Sequence, residues 1–176
     1  MGHSDELREL VRDAQAGNQD SVGKLFELLS DRVYRFLLLR TSSVEVAEDL
    51  TQTVFLEMVR ALPRYKEQSN AKFSTWLFQI AHFRLIDYYR QQHQDVAIDA
   101  IAELPAEERE RTDPIDLARL DDALHELPDR YRTVIHLRFR EGLSAKEVAQ
   151  IMKTSSINVR VLQSRAVAML RKLLLQ

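Results

Sequence analysis

Ser144-Ala145-Lys146-Glu147-Val148-Ala149-Gln150-Ile151-Met152-Lys153-Thr154-Ser155-Ser156-Ile157-Asn158-Val159-Arg160-Val161-Leu162-Gln163-Ser164-Arg165 carries the pattern that decides the fold. Ser144 and Glu147 stand at capping-box spacing, where each side chain satisfies the other residue's unpaired backbone N–H. That box opens a short helix reaching about Lys153. Thr154-Ser155-Ser156 turns the chain, and a last helix from Ile157 to about Leu174 sets Val159, Leu162, Ala166, Leu170 and Leu173 on one buried stripe. A short capped helix, a polar turn and a longer basic helix make a helix-turn-helix, whose second helix enters the major groove with its N-terminal residues at the base edges.

With the buried stripe set aside, Ser156, Asn158, Arg160, Gln163, Ser164 and Arg165 face outward, and Ser155 lies in the turn before them. Arg pairs bidentately with guanine, and Asn or Gln with adenine. Lys146, Lys153, Arg171 and Lys172 suit phosphates, which set position rather than sequence. The other reading of this segment is a basic amphipathic helix that only closes a bundle.

Working outward, a helix with Leu117, Leu120, Leu124 and Leu127 begins the second domain, 114–176. Pro128 suits the first turn of the next helix because its missing N–H would be unpaired there. That helix ends at Gly142, which can take the left-handed C-terminal conformation. Before this domain lies an acidic linker, 94–113. Residues 94–116 hold eight acidic and two basic side chains, a net of −6, whereas 142–176 hold six cations against Glu147 alone. The total charge of −2 therefore hides a polarity, and it is the local excess of cations that draws a phosphate backbone. The linker's composition cannot bury enough apolar area to fold alone, so it is expected to be flexible.

Residues 1–93 form the first domain. A short helix from about Asp5 stops at Gly17-Asn18, and the next carries Leu25, Phe26, Leu29, Val33, Phe36 and Leu37. Ser42 and Glu45 have capping-box spacing before a third helix with Ala47, Leu50, Val54, Met58 and Leu62 on one stripe, ending at Pro63. Residues 63–72 are a polar, basic loop holding Arg64, Tyr65, Lys66 and Lys72. The fourth helix, about Ser74 to Gln92, is apolar or aromatic nearly all round. Leu77, Ile80, Ala81 and Leu85 serve the core, which leaves Trp76, Phe83, Tyr88 and Tyr89 beside Arg84 and Arg90. Aromatics among cations suit single-stranded DNA, where bases stack on rings and the backbone follows positive charge. Taken alone, core or interface packing is the better explanation of most of the same aromatics.

Four Gly and four Pro in 176 residues leave long uninterrupted stretches, so the fold class is all-α, two small helical domains. No apolar run approaches the ~18–20 residues that span a bilayer, and the N-terminus shows no secretory signal. With no cysteine, the composition fits a cytoplasmic protein without disulfides. His3, His82, His93, His125 and His136 show no metal spacing, and no Gly-rich phosphate loop exists. No enzyme activity, cofactor, metal or membrane insertion is expected.

Two motif sets carry a family resemblance. Ala47-Glu48-Asp49-Leu50-Thr51-Gln52-Thr53-Val54-Phe55, with Phe73-Ser74-Thr75-Trp76-Leu77, Ile80-Ala81-His82 and Ile86-Asp87-Tyr88-Tyr89-Arg90, resembles region 2 of extracytoplasmic-function (ECF) sigma factors. Leu127-Pro128-Asp129-Arg130-Tyr131-Arg132 with 142–152 resembles region 4. The resemblance implies that Asp49, Gln52 and Thr53 dock on the β′ clamp helices of core RNA polymerase. It implies that Arg64, Tyr65, Lys66, Lys72, Phe73, Trp76, Phe83, Arg84 and Tyr88 open the −10 promoter element and hold a flipped base. Lys146, Ser155, Ser156, Asn158, Arg160, Gln163, Ser164 and Arg165 would read the −35 element, with the second domain on the β flap. The acidic linker would lie in the polymerase's basic RNA channel, and an anti-sigma factor would be a further partner. The chain departs from the family's pattern at Thr53, where an acid is common, at Phe83, where Asn is common, and across Ile157–Leu162. The rival reading is a stand-alone helix-turn-helix regulator whose first domain senses a ligand.

Overall fold

A computed structural model describes residues 3–67, 72–92 and 117–175, and every element among them is helical. The chain divides into two units, Met1–Gln92 and His93–Gln176. The acidic linker expected at 94–113 lies outside the described residues.

The first unit holds α1 (His3–Gln15), α2 (Gln19–Thr41), α3 (Val44–Ala61), one 3₁₀ turn (Leu62–Arg64) and α4 (Phe73–Gln92). Gly17, at φ +95°, takes the left-handed conformation that ends α1. Asn18 then caps α2, its side chain accepting from the Ser21 N–H at 3.1 Å. The stripe of α2 buries Leu25, Leu29, Val33, Phe36 and Leu37 against Ala47, Val54 and Met58 of α3 and Leu77, Phe78, Ala81 and Leu85 of α4. Phe36 and Phe78 meet edge to face with centroids 5.3 Å apart. Phe26 stays 46% exposed, because adjacent residues on a helix point about 100° apart and Leu25 takes the inward direction. Its ring leans on Phe55 instead. Leu50 and Ile80, both expected in the core, are half-buried at its edge.

The cap of α3 falls one residue later than its spacing suggests. Ser42 ends α2 at φ +52°, donating its N–H to the Leu38 carbonyl at 3.0 Å. Ser43 caps α3, accepting from the Val46 N–H at 3.4 Å, and no Ser42–Glu45 box forms. Two residues must both close one helix and open the next, so the first is consumed by the left-handed closure.

Where α2 meets α4 lie two buried groups able to carry positive charge, Arg40 and His82. The Arg40 guanidinium sits over the Phe36 ring, 3.7 Å from its centroid, and also donates to the Phe36 carbonyl. The Tyr89 hydroxyl donates to the Arg40 carbonyl at 2.7 Å, fastening the end of α4 to α2. Burial first, and then the charge of Arg40, push the His82 imidazole down to about 4. Its Nδ1 meets no hydrogen-bond partner among the described residues.

The second unit holds α5 (Leu117–Glu126), α6 (Asp129–Ile135), a π-helical turn (His136–Arg140), α7 (Ala145–Ile151) and α8 (Ser156–Leu174). Pro128 stands at the N-cap of α6, one place before the expected first turn, its carbonyl accepting from the Tyr131 and Arg132 N–H groups. Ala123, Leu127 and Leu170 form one end of the core, with Leu124, Tyr131 and Ile135 packed against it. Val134, Leu137, Val148, Ile151, Val159, Leu162 and Ala166 fill the rest. In the π turn His136 is buried, its Nε2 3.4 Å from Glu141 Oε1, while Phe139 is 62% exposed. Gly142 closes the turn at φ +64°.

The His82 imidazole is protonated below about 4 in the folded chain but below 6.5 when unfolded. The unfolded state therefore binds more protons in that window, and stability falls as pH drops through it. Urea unfolding of the first unit should lose about 2 kcal/mol between about pH 7 and about pH 5 through this group. His82→Leu should remove that component, and an unchanged pH slope in the variant would refute the assignment.

Candidate functional site

The capping box forms as its spacing requires: the Ser144 N–H donates to Glu147 Oε2 at 2.8 Å, and the Glu147 N–H to Ser144 Oγ at 3.2 Å. After α7, Lys153 takes a left-handed φ of +50° and Thr154 donates its N–H to the Ala149 carbonyl. Ser155 caps α8 by accepting from the Asn158 N–H at 3.1 Å. Val159, Leu162, Ala166 and Leu170 are buried, and this stripe sets the rotation of α8 about its axis.

The opposite face presents Arg160 and Ser164, both exposed, with Ser156 and Arg165 half-buried at its sides. Lys146 is exposed on α7 and Lys153 in the turn. Two amides expected to read bases already hold internal bonds. Asn158 Nδ2 donates to Thr154 Oγ1 at 2.8 Å, and Gln163 Oε1 accepts from Arg138 Nε at 2.9 Å. Arg138 also donates to the Leu143 carbonyl, so it ties the π turn to α8. The Ser155 hydroxyl oxygen is engaged in its cap. Two residues not expected to read bases share the outward face: Ile157, 72% exposed, and Val161, 41% exposed. Subtracting the buried stripe leaves them outside, but a search confined to polar side chains passes over them.

In the first unit, three of the expected DNA-facing aromatics form one cluster. Tyr65 lies 5.2 Å from Phe73 and 4.7 Å from Trp76, and Phe73 lies 5.3 Å from Trp76, centroid to centroid. Phe73 is only 4% exposed, so it backs the cluster rather than offering a stacking face; Tyr65 and Trp76 are half-buried. The Tyr65 hydroxyl is pushed up to about 12, by burial first and then by the Glu67 carboxylate, with Arg8 opposing. Gln15 holds the base of this loop, its Nε2 donating to the carbonyls of Leu62 at 2.9 Å and Tyr65 at 2.7 Å. Arg8 pairs with Glu67 at 2.8 Å. Neither α1 contact is visible from local spacing, since each joins residues about fifty or more positions apart.

Arg64, Lys66 and Lys72 are exposed around the cluster, and residues 68–71 lie outside the described residues. Arg84 is committed elsewhere: its Nε and Nη2 grip Glu57 at 2.9 and 2.8 Å, and its Nη1 reaches Asp87 at 3.2 Å. That network ties α4 to α3. Phe83 and Tyr88 are half-buried, with Tyr88 beside the Tyr89 ring at 5.7 Å. On α3, Asp49 and Gln52 are exposed, while Thr53 spends its hydroxyl on the Asp49 carbonyl at 2.9 Å. Their face continues through Leu56 and Val59, 59% and 45% exposed.

Among the described residues no cluster of His, Asp or Glu could hold a metal ion, and no helix is long and apolar enough to cross a membrane.

Two family models match the chain in order: sigma-70 region 2 over residues 25–94 and sigma-70 region 4 over 123–172. The ECF RNA polymerase sigma factor BldN of Streptomyces coelicolor is 33% identical over 97% of this chain and 67% of its own length. The ECF RNA polymerase sigma factor SigM of Bacillus subtilis is 32% identical over 83% of this chain and 90% of its own length. The chain belongs to the ECF RNA polymerase sigma factors.

Among solved structures, the sigma factor RpoE of Bartonella quintana, in complex with the anti-sigma factor NepR, is similar at a TM-score of 0.66. The two chains are 25% identical, over 86% of this chain and 95% of RpoE. In this sigma factor the region 2 match holds the aromatic cluster and the exposed face of α3, and the region 4 match holds the helix-turn-helix.

Ser155→Ala should cost the second unit about 1 kcal/mol through loss of the α8 cap. Arg160→Ala, on an exposed face, should stay within about 0.5 kcal/mol. Denaturant unfolding of both variants checks this, and equal losses would remove the distinction between cap and surface.

Proposed function

We propose that this sigma factor binds core RNA polymerase and directs it to promoters, reading −10 DNA with its first domain and −35 DNA with α8. The observation that carries this is the occurrence of both sigma regions in order on one all-helical chain, the second ending in a cationic helix-turn-helix. A stand-alone helix-turn-helix regulator would leave the region 2 match over 25–94 without a role.

Polymerase docking falls to α3, where Asp49 and Gln52 offer polar contacts and Leu56 and Val59 extend the face with apolar ones. Thr53 lies beside them, its hydroxyl oriented by its own helix. Melted −10 DNA falls to Trp76 and Tyr65, with Arg64, Lys66 and Lys72 on the backbone and Phe83 and Tyr88 along α4. Phe73 and Arg84 serve as supports, the first behind the rings and the second between helices. On the −35 side, Arg160, Ser164, Ser156 and Arg165 face the groove, Lys146 takes phosphate, and Ser155, Asn158 and Gln163 hold α8 and its neighbours in register.

The chain acts by binding and carries no catalytic step of its own, and its place of action is the cytoplasm with the polymerase. The β flap is the partner of the second domain, and the acidic linker lies in the RNA channel. RpoE is held by an anti-sigma factor, and a partner of that kind fits this chain, whose two units expose Leu56, Val59 and Phe139.

Mixing the purified chain with bacterial core polymerase should give a complex on gel filtration and discrete start sites on a genomic DNA library. High-specificity duplex binding by the chain alone, with no polymerase complex, would instead favour the stand-alone regulator. The double variant Asp49→Ala, Leu56→Ala should bind core about tenfold or more weakly. Its thermal unfolding should stay near wild type, because both side chains are exposed. Trp76→Ala should slow opening of a duplex promoter by about ten- to a hundredfold, the worth of one base stack. It should recover on a promoter with a pre-opened bubble; a defect equal on both templates would assign Trp76 to folding.

A further inference from the structure

Two of the exposed residues on the outward face of α8 are apolar. Ile157 and Val161 stand one turn apart, with Arg160 and Ser164 beside them, on the side of the helix away from Val159, Leu162 and Ala166. Single exposed aliphatics are ordinary. Two β-branched residues in the first two turns of a groove-reading helix occupy the place where base edges arrive. The amides expected to read those edges are partly withdrawn, Asn158 to Thr154 and Gln163 to Arg138.

The surroundings of the pair select its occupant. Arg160 is exposed beside the pair and Lys153 in the turn before it, with Lys146 exposed on α7 and Arg171 and Lys172 in the last turn of α8. Glu147, the one acid of 142–176, is 6% exposed and held in its capping box. An apolar pair set among cations, with no exposed acid near it in the sequence, matches the floor of a major groove flanked by phosphates. In that groove the C5-methyl of thymine is the apolar group on a base edge; guanine, adenine and cytosine present acceptors and donors.

We propose that Ile157 and Val161 read thymine in the −35 element by packing on its C5-methyl group, with Arg160 beside them for guanine or phosphate. The inference rests on the sigma reading above. It adds a specificity determinant made of shape and apolar contact in place of an amide.

Holoenzyme reconstituted from core polymerase and the full chain is used to select promoter duplexes from a random library. Each −35 thymine, on either strand, is then replaced in turn by deoxyuridine, which lacks only the methyl group. At one or two positions the replacement should weaken competition binding about fourfold, the worth of one buried methyl. Holoenzyme carrying Ile157→Ala or Val161→Ala should bind the thymine duplex weaker by a similar factor and should no longer distinguish deoxyuridine at the matching position. Ile157→Val should keep the discrimination. Unfolding of the two alanine variants should match wild type.

Deoxyuridine that is neutral throughout, or equally harmful to wild type and both alanine variants, overturns the proposal. So does a −35 element with no thymine on either strand. If Ile157→Ala weakens capture of a protein partner while the deoxyuridine profile stays flat, the pair belongs to a protein interface and the proposal fails. Failure to form holoenzyme or to enrich any promoter brings down the sigma reading itself, an outcome distinct from selection that succeeds with a flat methyl profile.

Discussion

A helix of about 3.6 residues per turn can bury one stripe, and burying that stripe dictates the opposite face. On α8 the stripe is Val159, Leu162, Ala166 and Leu170, and its partners on α5, α6 and α7 hold the helix at a single rotation. Ser155 fixes where the helix begins, and the Ser144–Glu147 box does the same for α7. Rotation and starting point together decide that Ile157, Arg160, Val161 and Ser164 face outward. Exposed polar choices on that face then cost the fold little, which leaves it available for recognition.

The first unit obeys the same rule with a less tidy outcome. α4 is apolar nearly all round, so no single stripe can be read from it, and three different neighbours divide its surface. The core takes Leu77, Phe78, Ala81 and Leu85, the Tyr65 loop takes Phe73 and Trp76, and Arg40 of α2 takes the Tyr89 hydroxyl. Burial of Arg40 on α2 and His82 on α4 is costly for a charged group. The guanidinium offsets it with the Phe36 face and carbonyl, while His82 gives up its proton. A unit built this way keeps its aromatic cluster in place through long-range ties from Gln15 and Arg8 rather than through the loop itself.

Where the expected site and the structure part, competing bonds explain the difference. Phe73 has the composition of a stacking ring, but its position at the first turn of α4 turns it inward. Arg84 reads as a cation near DNA, yet Glu57 and Asp87 lie within reach and a paired guanidinium is worth more than a hydrated one. Gln163 reads as an adenine-pairing amide, and Arg138 claims its oxygen from a turn twenty-five residues earlier. Ser42 loses the cap to Ser43 because the connection between α2 and α3 is too short for both. Apart from Asp87, one helical turn from Arg84, these competitors are either distant in sequence or set by the conformation of a neighbour, and residue spacing carries no record of either.

The amino-acid sequence by itself determined the helical class, the helix-turn-helix with its capping box, the buried stripe of α8, and the two motif sets that mark an ECF sigma factor. The first three follow from periodicity and local hydrogen bonding, which act over three or four residues, and the motif sets from their resemblance to a known family. Tertiary structure alone decided which outward groups remain available and which are spent internally, and so which of them stand beside the apolar pair that the stripe already places outside. The physical reason is that a polar or apolar side chain has many possible partners along the chain, and only packing selects among them.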